Sequence, residues 1–315
     1  MLAPQFPHVC TQIAGRSIDD FYAAFPRDAA QNTEPTVIAR WHQGGWHFIT
    51  RVPGFLHAKM HADRDNRLWI CNGDELICYT PDGGRKLAYP LREPIRADGL
   101  AEGAGDTWSI LHSSNKLLTI DGNSQSTTTL SSIGDLTVLS ADDSGRFWAG
   151  GNSRSLFSRI GDGAESPLLI GFDGETKKKI SIPKSEGGIN ILLNHSNGEL
   201  YVSISKGPIF HANAKALWSK EAKLQPLSPL EGVSELADDL QEGLYALNAN
   251  QLHHLPAGQS AWTSQRIKID GNRCTLRCVC AFSDGLAVGT YNGVIIGPKW
   301  HPLPLIDETW YARNP

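Results

Sequence analysis

One unit recurs along this 315-residue chain. It consists of an apolar strand, a polar turn rich in Asp, Asn and Gly, an aromatic-centred strand, a second turn and a third apolar strand. The copies read AKMHADRDNRLWICNGDELICYT from Ala58, GLAEGAGDTWSILHSSNKLLTI from Gly99, TVLSADDSGRFWAGGNSRSLFSRI from Thr137, ILLNHSNGELYVSISKGPIFHA from Ile191, VSELADDLQEGLYALNANQLHHLP from Val233 and RCVCAFSDGLAVGTYNGVIIGP from Arg277. Their centres are Trp69, Trp108, Trp148, Tyr201, Tyr245 and Ala287, at steps of 39, 40, 53, 44 and 42 residues. The step from centre to third strand is seven or eight residues, as in Trp69 to Leu76, Trp148 to Leu156, Tyr201 to Ile209, Tyr245 to Leu252 and Ala287 to Val294. A three-strand core repeating every ~40–45 residues is what a propeller blade requires. A single copy cannot bury both faces of its sheet, so the copies must stack radially and close.

The fold class that follows is all-β: a single β-propeller of about six blades, with seven as the alternative. TVIARW and WHFITRV, joined by His42-Gln43-Gly44-Gly45, read as a hairpin around Trp41 and Trp46. Trp46 precedes Trp69 by only 23 residues, too few for a separate blade. The N-terminal strands are therefore expected to close the ring against the last copy, where Ala287 replaces the aromatic. In the alternative they join a seventh blade built from both termini. Ser17 as a cap, with Asp19 and Asp20 in a first turn, predicts a short helix over Ile18 to Phe25. The domain reading is an N-terminal extension over 1–35 and a propeller over 36–315, with the repeat core at 58–298.

The unit from Asp142 to Trp148, matched by Asp65-Asn66-Arg67-Leu68-Trp69, resembles the repeats of bacterial β-propellers of the two-component-regulator and WD-like types. The resemblance covers roughly 58–298 and implies the architecture, not an activity. The strict G-H…W-D signature of eukaryotic WD repeats is absent.

A formal charge of -4 argues against non-specific nucleic-acid binding. There is no apolar run near the ~20 residues needed to cross a bilayer, and MLAPQFPHVC carries no secretory signal pattern. The six cysteines, Cys10, Cys71, Cys78, Cys274, Cys278 and Cys280, read as free thiols of a reducing cytoplasm. Period-two alternation puts Cys278 and Cys280 on one face of a strand, as small core residues.

No nucleophile elbow, zinc motif or phosphate loop is present. Acidic residues at the first turns, including Asp63, Asp142 and Asp238, read as turn formers. Read instead as ligands they would hold a Ca²⁺ at the channel mouth, the cofactor of a lactonase or hydrolase propeller; the preferred reading has no cofactor. His61 and His195 fall near the ends of first strands and read as structural. The 53-residue step contains GFDGETKKKISIPKSEGG, in which Asp173-Gly174 predicts a hairpin turn. Its Lys177, Lys178, Lys179 and Lys184 form either a solvated edge strand or a docking site for an acidic partner. Trp300, Trp310 and Tyr311 in the tail are candidate interface anchors or, equally, a plug at the ring closure, and Trp218 is a further aromatic outside the repeat. The expected function is a cytoplasmic, non-enzymatic propeller that binds another protein, in its narrowest form a bacterial immunity-type inhibitor of a toxin.

Overall fold

The computed structural model describes residues 9–26, 35–53, 56, 59–72, 74–91, 97–103, 107–112, 115–122, 124–142, 144–153, 166–227, 229–230, 232–248, 250–306 and 310. Seven four-stranded antiparallel sheets follow one another along the chain. They occupy 12–52, 61–90, 97–129, 135–180, 189–226, 233–265 and 276–302, and are blades 1 to 7. A two-stranded ribbon, Lys268–Ile269 with Asn272–Arg273, sits in the connection between blades 6 and 7. First strands pack against first strands of neighbouring blades, so they line the centre of the ring.

The six repeat centres lie in the second strands of blades 2 to 7, as the spacing requires. Trp108, Trp148 and Ala287 are fully buried, and Trp69, Tyr201 and most neighbouring residues nearly so. Trp69 stacks on Trp108 at 4.4 Å across the seam between blades 2 and 3, which gives these rings contact energy beyond their buried area. Leu76, Ile209, Leu252 and Val294 fall in third strands; Leu156 lies outside the described residues.

The ring has seven blades because the N-terminal region makes a whole blade from contiguous chain. Its hairpin is as expected, Thr36–His42 against Gly45–Val52, and Gln43 and Gly44 both take positive φ, 51° and 76°, the pair of values a two-residue hairpin turn needs. The helix expected over Ile18 to Phe25 is instead the strand Asp20–Pro26, paired with Gln12–Ser17 and with Thr36–His42. The reason is that both faces of this strand are buried. Phe21, Ala23 and Phe25 pack towards blade 7, while Tyr22 and Ala24 pack towards blade 2. Such a strand has no polar alternation. The N-terminal residues 12–26 thus belong to the propeller rather than to an extension.

Blade 1 also supplies the bulk missing at Ala287. Phe21 stacks on Phe282 at 5.7 Å, and Phe21, Phe25 and Trp41 share one core with Ala287 and Ile296. The seam is closed by side chains and a few backbone bonds: Cys10 N–H donates to Thr290 O, Ser17 Oγ and Ile18 N–H donate to Asp284, and Trp46 Nε1 donates to Pro304 O at 2.7 Å. We expect Trp46→Phe to cost about 1–2 kcal/mol, read as a lower urea midpoint at unchanged slope.

Candidate functional site

The acidic first turns are occupied by their own blades. In blade 2, Asp63 Oδ1 accepts from Asp65 N–H and Arg67 N–H, and Oδ2 accepts from Arg67 Nε at 2.6 Å and Trp69 Nε1 at 2.8 Å. In blade 4, Asp142 repeats this set with Ser144, Arg146 and Trp148. The recurring motif is therefore Asp six residues before the Trp and Arg two before it. Each carboxylate is a four- or five-bond staple joining turn to core. Burial opposes the charge in both, but it is outweighed at Asp63 by bonds from Trp69 and Arg67 and at Asp142 by bonds from Ser144, Trp148 and Arg146, which hold both carboxyls below their ordinary value.

Several histidines and acids at this end of the ring join blades. His61 meets Glu102 at 2.7 Å between blades 2 and 3, and Asn194 donates to Ser140 between blades 4 and 5. Asp238 accepts from Ser196 N–H between blades 5 and 6. His195 Nε2 lies 2.6 Å from Gly243 O and 3.1 Å from Asp238 Oδ1, while its Nδ1 accepts from Asn197 N–H. A carbonyl can only accept, so Nε2 carries the proton. His195, Asp238 and Asp239 form the one cluster of metal-ligand type among the described residues. Asp63 and Asp142 stand apart from it.

Inside the ring a cavity of about 420 Å³ is lined by Gln12, Leu56, Leu193, Leu236, Cys278 and Cys280, with Lys59 paired to Glu235 across it. Burial and the neighbouring Cys278 push the Cys280 thiol up to about 12, far from the thiolate that nucleophilic chemistry needs. All six cysteines are free, and Cys278 and Cys280 do share one side of their strand.

The lysine segment has a more specific setting than its sequence implied. Asp173-Gly174 turns the hairpin between Ser166–Phe172 and the outer strand Lys177–Ile180 of blade 4. Lys177 reaches towards blade 3, donating to Thr129 O. Lys178 points the other way, donating to Trp218 O at 3.0 Å with its ammonium 4.2 Å from the Trp218 ring centre, a cation–π contact. Trp218 is thus not a free surface aromatic. The helix Ala214–Ser219, capped by Asn213, sets it edge-on against Trp148 at 6.1 Å.

Between that outer strand and the helix of blade 5 runs a groove of about 630 Å³. Ile180, Ile182, Leu217 and Leu224 form its apolar floor, and Lys178, Lys179, Lys220 and Lys223 its margin. Lys220 and Lys223 escaped sequence reasoning because some forty residues separate them from Lys178. Lys177 and Lys184 do not line the groove. In the tail, Trp310 Nε1 donates to Trp46 O at 3.1 Å and its ring packs on Phe48; Trp300 lies at the seam of blades 6 and 7. Tyr311 lies outside the described residues. No described helix is long and apolar enough to cross a membrane.

No protein-family model and no curated protein matches the sequence. Solved structures do match. A streptogramin B lyase superposes with a TM-score of 0.68 at 9% identity, covering 93% of this chain and 94% of that one. A catalytically inactive histidine-to-alanine variant of virginiamycin B lyase from Staphylococcus aureus with quinupristin gives 0.66 at 9%, covering 93% and 96%. The extracellular domain of a hybrid two-component system from B. thetaiotaomicron gives 0.65 at 12%, covering 93% of this chain but 38% of that one. At such identities the likeness is one of fold, and this chain shares the β-propeller with a lyase and with the extracellular domain of a two-component system alike.

Proposed function

We propose that this chain is a protein-binding propeller that docks an acidic, partly apolar segment of its partner in the groove between blades 4 and 5. The observation that carries the reading is the gathering of Lys178, Lys179, Lys220 and Lys223 around an apolar floor on a chain of net charge -4. Four lysines line one concavity, and the outer strand beside it has a partner on one side only, leaving backbone groups for an extended segment. Asp63, Asp142, Asp238, His61 and His195, described acids and histidines near the first turns, are engaged in turns and seams, which favours binding over catalysis. In the narrower form of this reading the protein is a cytoplasmic immunity-type inhibitor and the partner a toxin encoded beside it.

The test uses a fluorescent peptide alternating Glu with Leu, titrated with the full chain. Binding is expected to weaken with added salt and to fall at least about tenfold, roughly 1.4 kcal/mol, in a Lys178→Glu, Lys179→Glu, Lys223→Glu variant. A Lys177→Glu, Lys184→Glu variant, outside the groove, is expected to bind within about twofold of wild type. Equal loss in both variants, or none in either, overturns the reading. The second reading, a Ca²⁺-dependent hydrolase, draws support from Asp238 and Asp239 lying together. Calcium titration calorimetry without heat would remove it.

A further inference from the structure

The seam between blades 6 and 7 holds a second cavity, of about 360 Å³, within the ~300–1,000 Å³ of small-molecule sites. Its chemistry differs from that of the groove. Neither Lys nor Arg lines it, so it lacks the charge an anionic ligand requires. Its carboxylate, Asp239, is already committed: Oδ1 accepts from Gln241 N–H and Gly243 N–H, and Oδ2 lies 2.8 Å from His254 Nε2. Burial opposes that charge, but the His254 and backbone bonds outweigh it and keep the carboxyl below its ordinary value. A cation therefore finds little uncompensated charge. What remains on the walls is neutral and two-handed: the amides of Gln241 and Gln265 and the Ser283 hydroxyl, each able to donate and accept.

The aromatic walls are held in place. Tyr245 lies flat on His254, with ring centres 4.3 Å apart. Trp300, from blade 7, sits at φ 42°, a left-handed conformation that a bulky side chain adopts only when its surroundings impose it. Its ring lies on Gly297, where a Cβ would come within 2.8 Å of the indole. The Trp300 Nε1 donor is shielded from solvent and has no protein partner, which is unusual for a buried indole. Strained backbone and a close-fitting glycine fix the ring that forms one wall of the cavity.

We propose that this seam cavity binds a neutral saccharide, one sugar ring seated against Trp300 and Tyr245 with its hydroxyls on Gln241, Gln265 and Ser283. Hydroxyl groups both donate and accept, as these amides do, and the apolar C–H face of a pyranose suits an aromatic wall. This site is independent of the groove between blades 4 and 5.

Saturation-transfer NMR on the full chain with methyl glucoside, methyl galactoside, methyl mannoside and N-acetylglucosamine tests it. At least one is expected to show transfer to ring C–H protons. A Gln241→Ala, Gln265→Ala variant, altered at two exposed positions and checked for an unchanged Tm, is expected to lose about tenfold in affinity. Trp300→Phe is expected to lose the tryptophan fluorescence response to that sugar. Absence of transfer from all four sugars overturns the proposal. So does transfer that survives the double glutamine variant undiminished, or tighter binding of glucose 6-phosphate than of methyl glucoside.

Discussion

Replacing Asp63 by alanine is expected to destabilise the protein by about 3–5 kcal/mol, the scale for breaking a buried charged pair. The Asp63 side chain is 3% exposed, and its loss strands the Arg67 guanidinium, the Trp69 N–H and two backbone N–H groups together. Asp65, two residues on and 73% exposed, is the control: Asp65→Ala should stay within ~0.5 kcal/mol. Urea denaturation of the two variants checks both. The same site predicts acid behaviour. A carboxyl held below its ordinary value binds fewer protons folded than unfolded. Its contribution is therefore present above the ordinary value of 3.8 and is lost as pH falls through the folded value. Stability should drop steeply below about pH 4, and less steeply in Asp63→Asn, which lacks the titrating group. An unchanged acid slope in that variant would assign acid sensitivity elsewhere, with Asp142 next in line.

Trp148→Ala is the second large effect, about 3–5 kcal/mol. This ring is 0% exposed and fills the wedge between blades 4 and 5, packed with Leu169, Ile189 and Val202. Its neighbour Gly171 is small by necessity, since a Cβ there would come within 2.9 Å of the Trp218 ring and 3.0 Å of the Trp148 ring. Gly171→Ala alone should cost about 1–3 kcal/mol by overpacking. In a Trp148→Phe background the smaller ring makes room, so the double variant should be less destabilised than the sum of the singles. Strict additivity would show that the two positions do not share the space. Because Trp218 also carries Lys178, Gly171→Ala is expected to weaken peptide docking in the groove as well.

Much of the scaffold was legible in the chain. The recurrence of Trp69, Trp108 and Trp148 reports a blade directly, and around Trp69 and Trp148 the turn staples itself to its own tryptophan through residues six positions apart. That interaction is local, so its spacing survives in sequence. The same locality explains why Asp63 and Asp142 read as structural. Blade 1 was illegible for the opposite reason. In Asp20–Pro26 alternate residues serve two different neighbours, so both faces are apolar and the period-two signal vanishes. The 53-residue step misled in a related way: the lysine segment is an ordinary hairpin of blade 4, and the extra length lies between its second and third strands.

The candidate sites divide along the same line. Lys178 and Lys179 could be singled out as a cluster, but their partners in the groove, Lys220 and Lys223, come from the next blade. The seam cavity joins Gln241, Tyr245 and His254 to Trp300, 46 to 59 residues away, and no periodicity connects them. By itself the sequence determined the blade, because backbone pairing and turn chemistry act over a few residues. The tertiary structure decided the number of blades, the fate of Trp218 and the two concavities, because these depend on which faces meet across a seam, and seams join residues that local chemistry never relates.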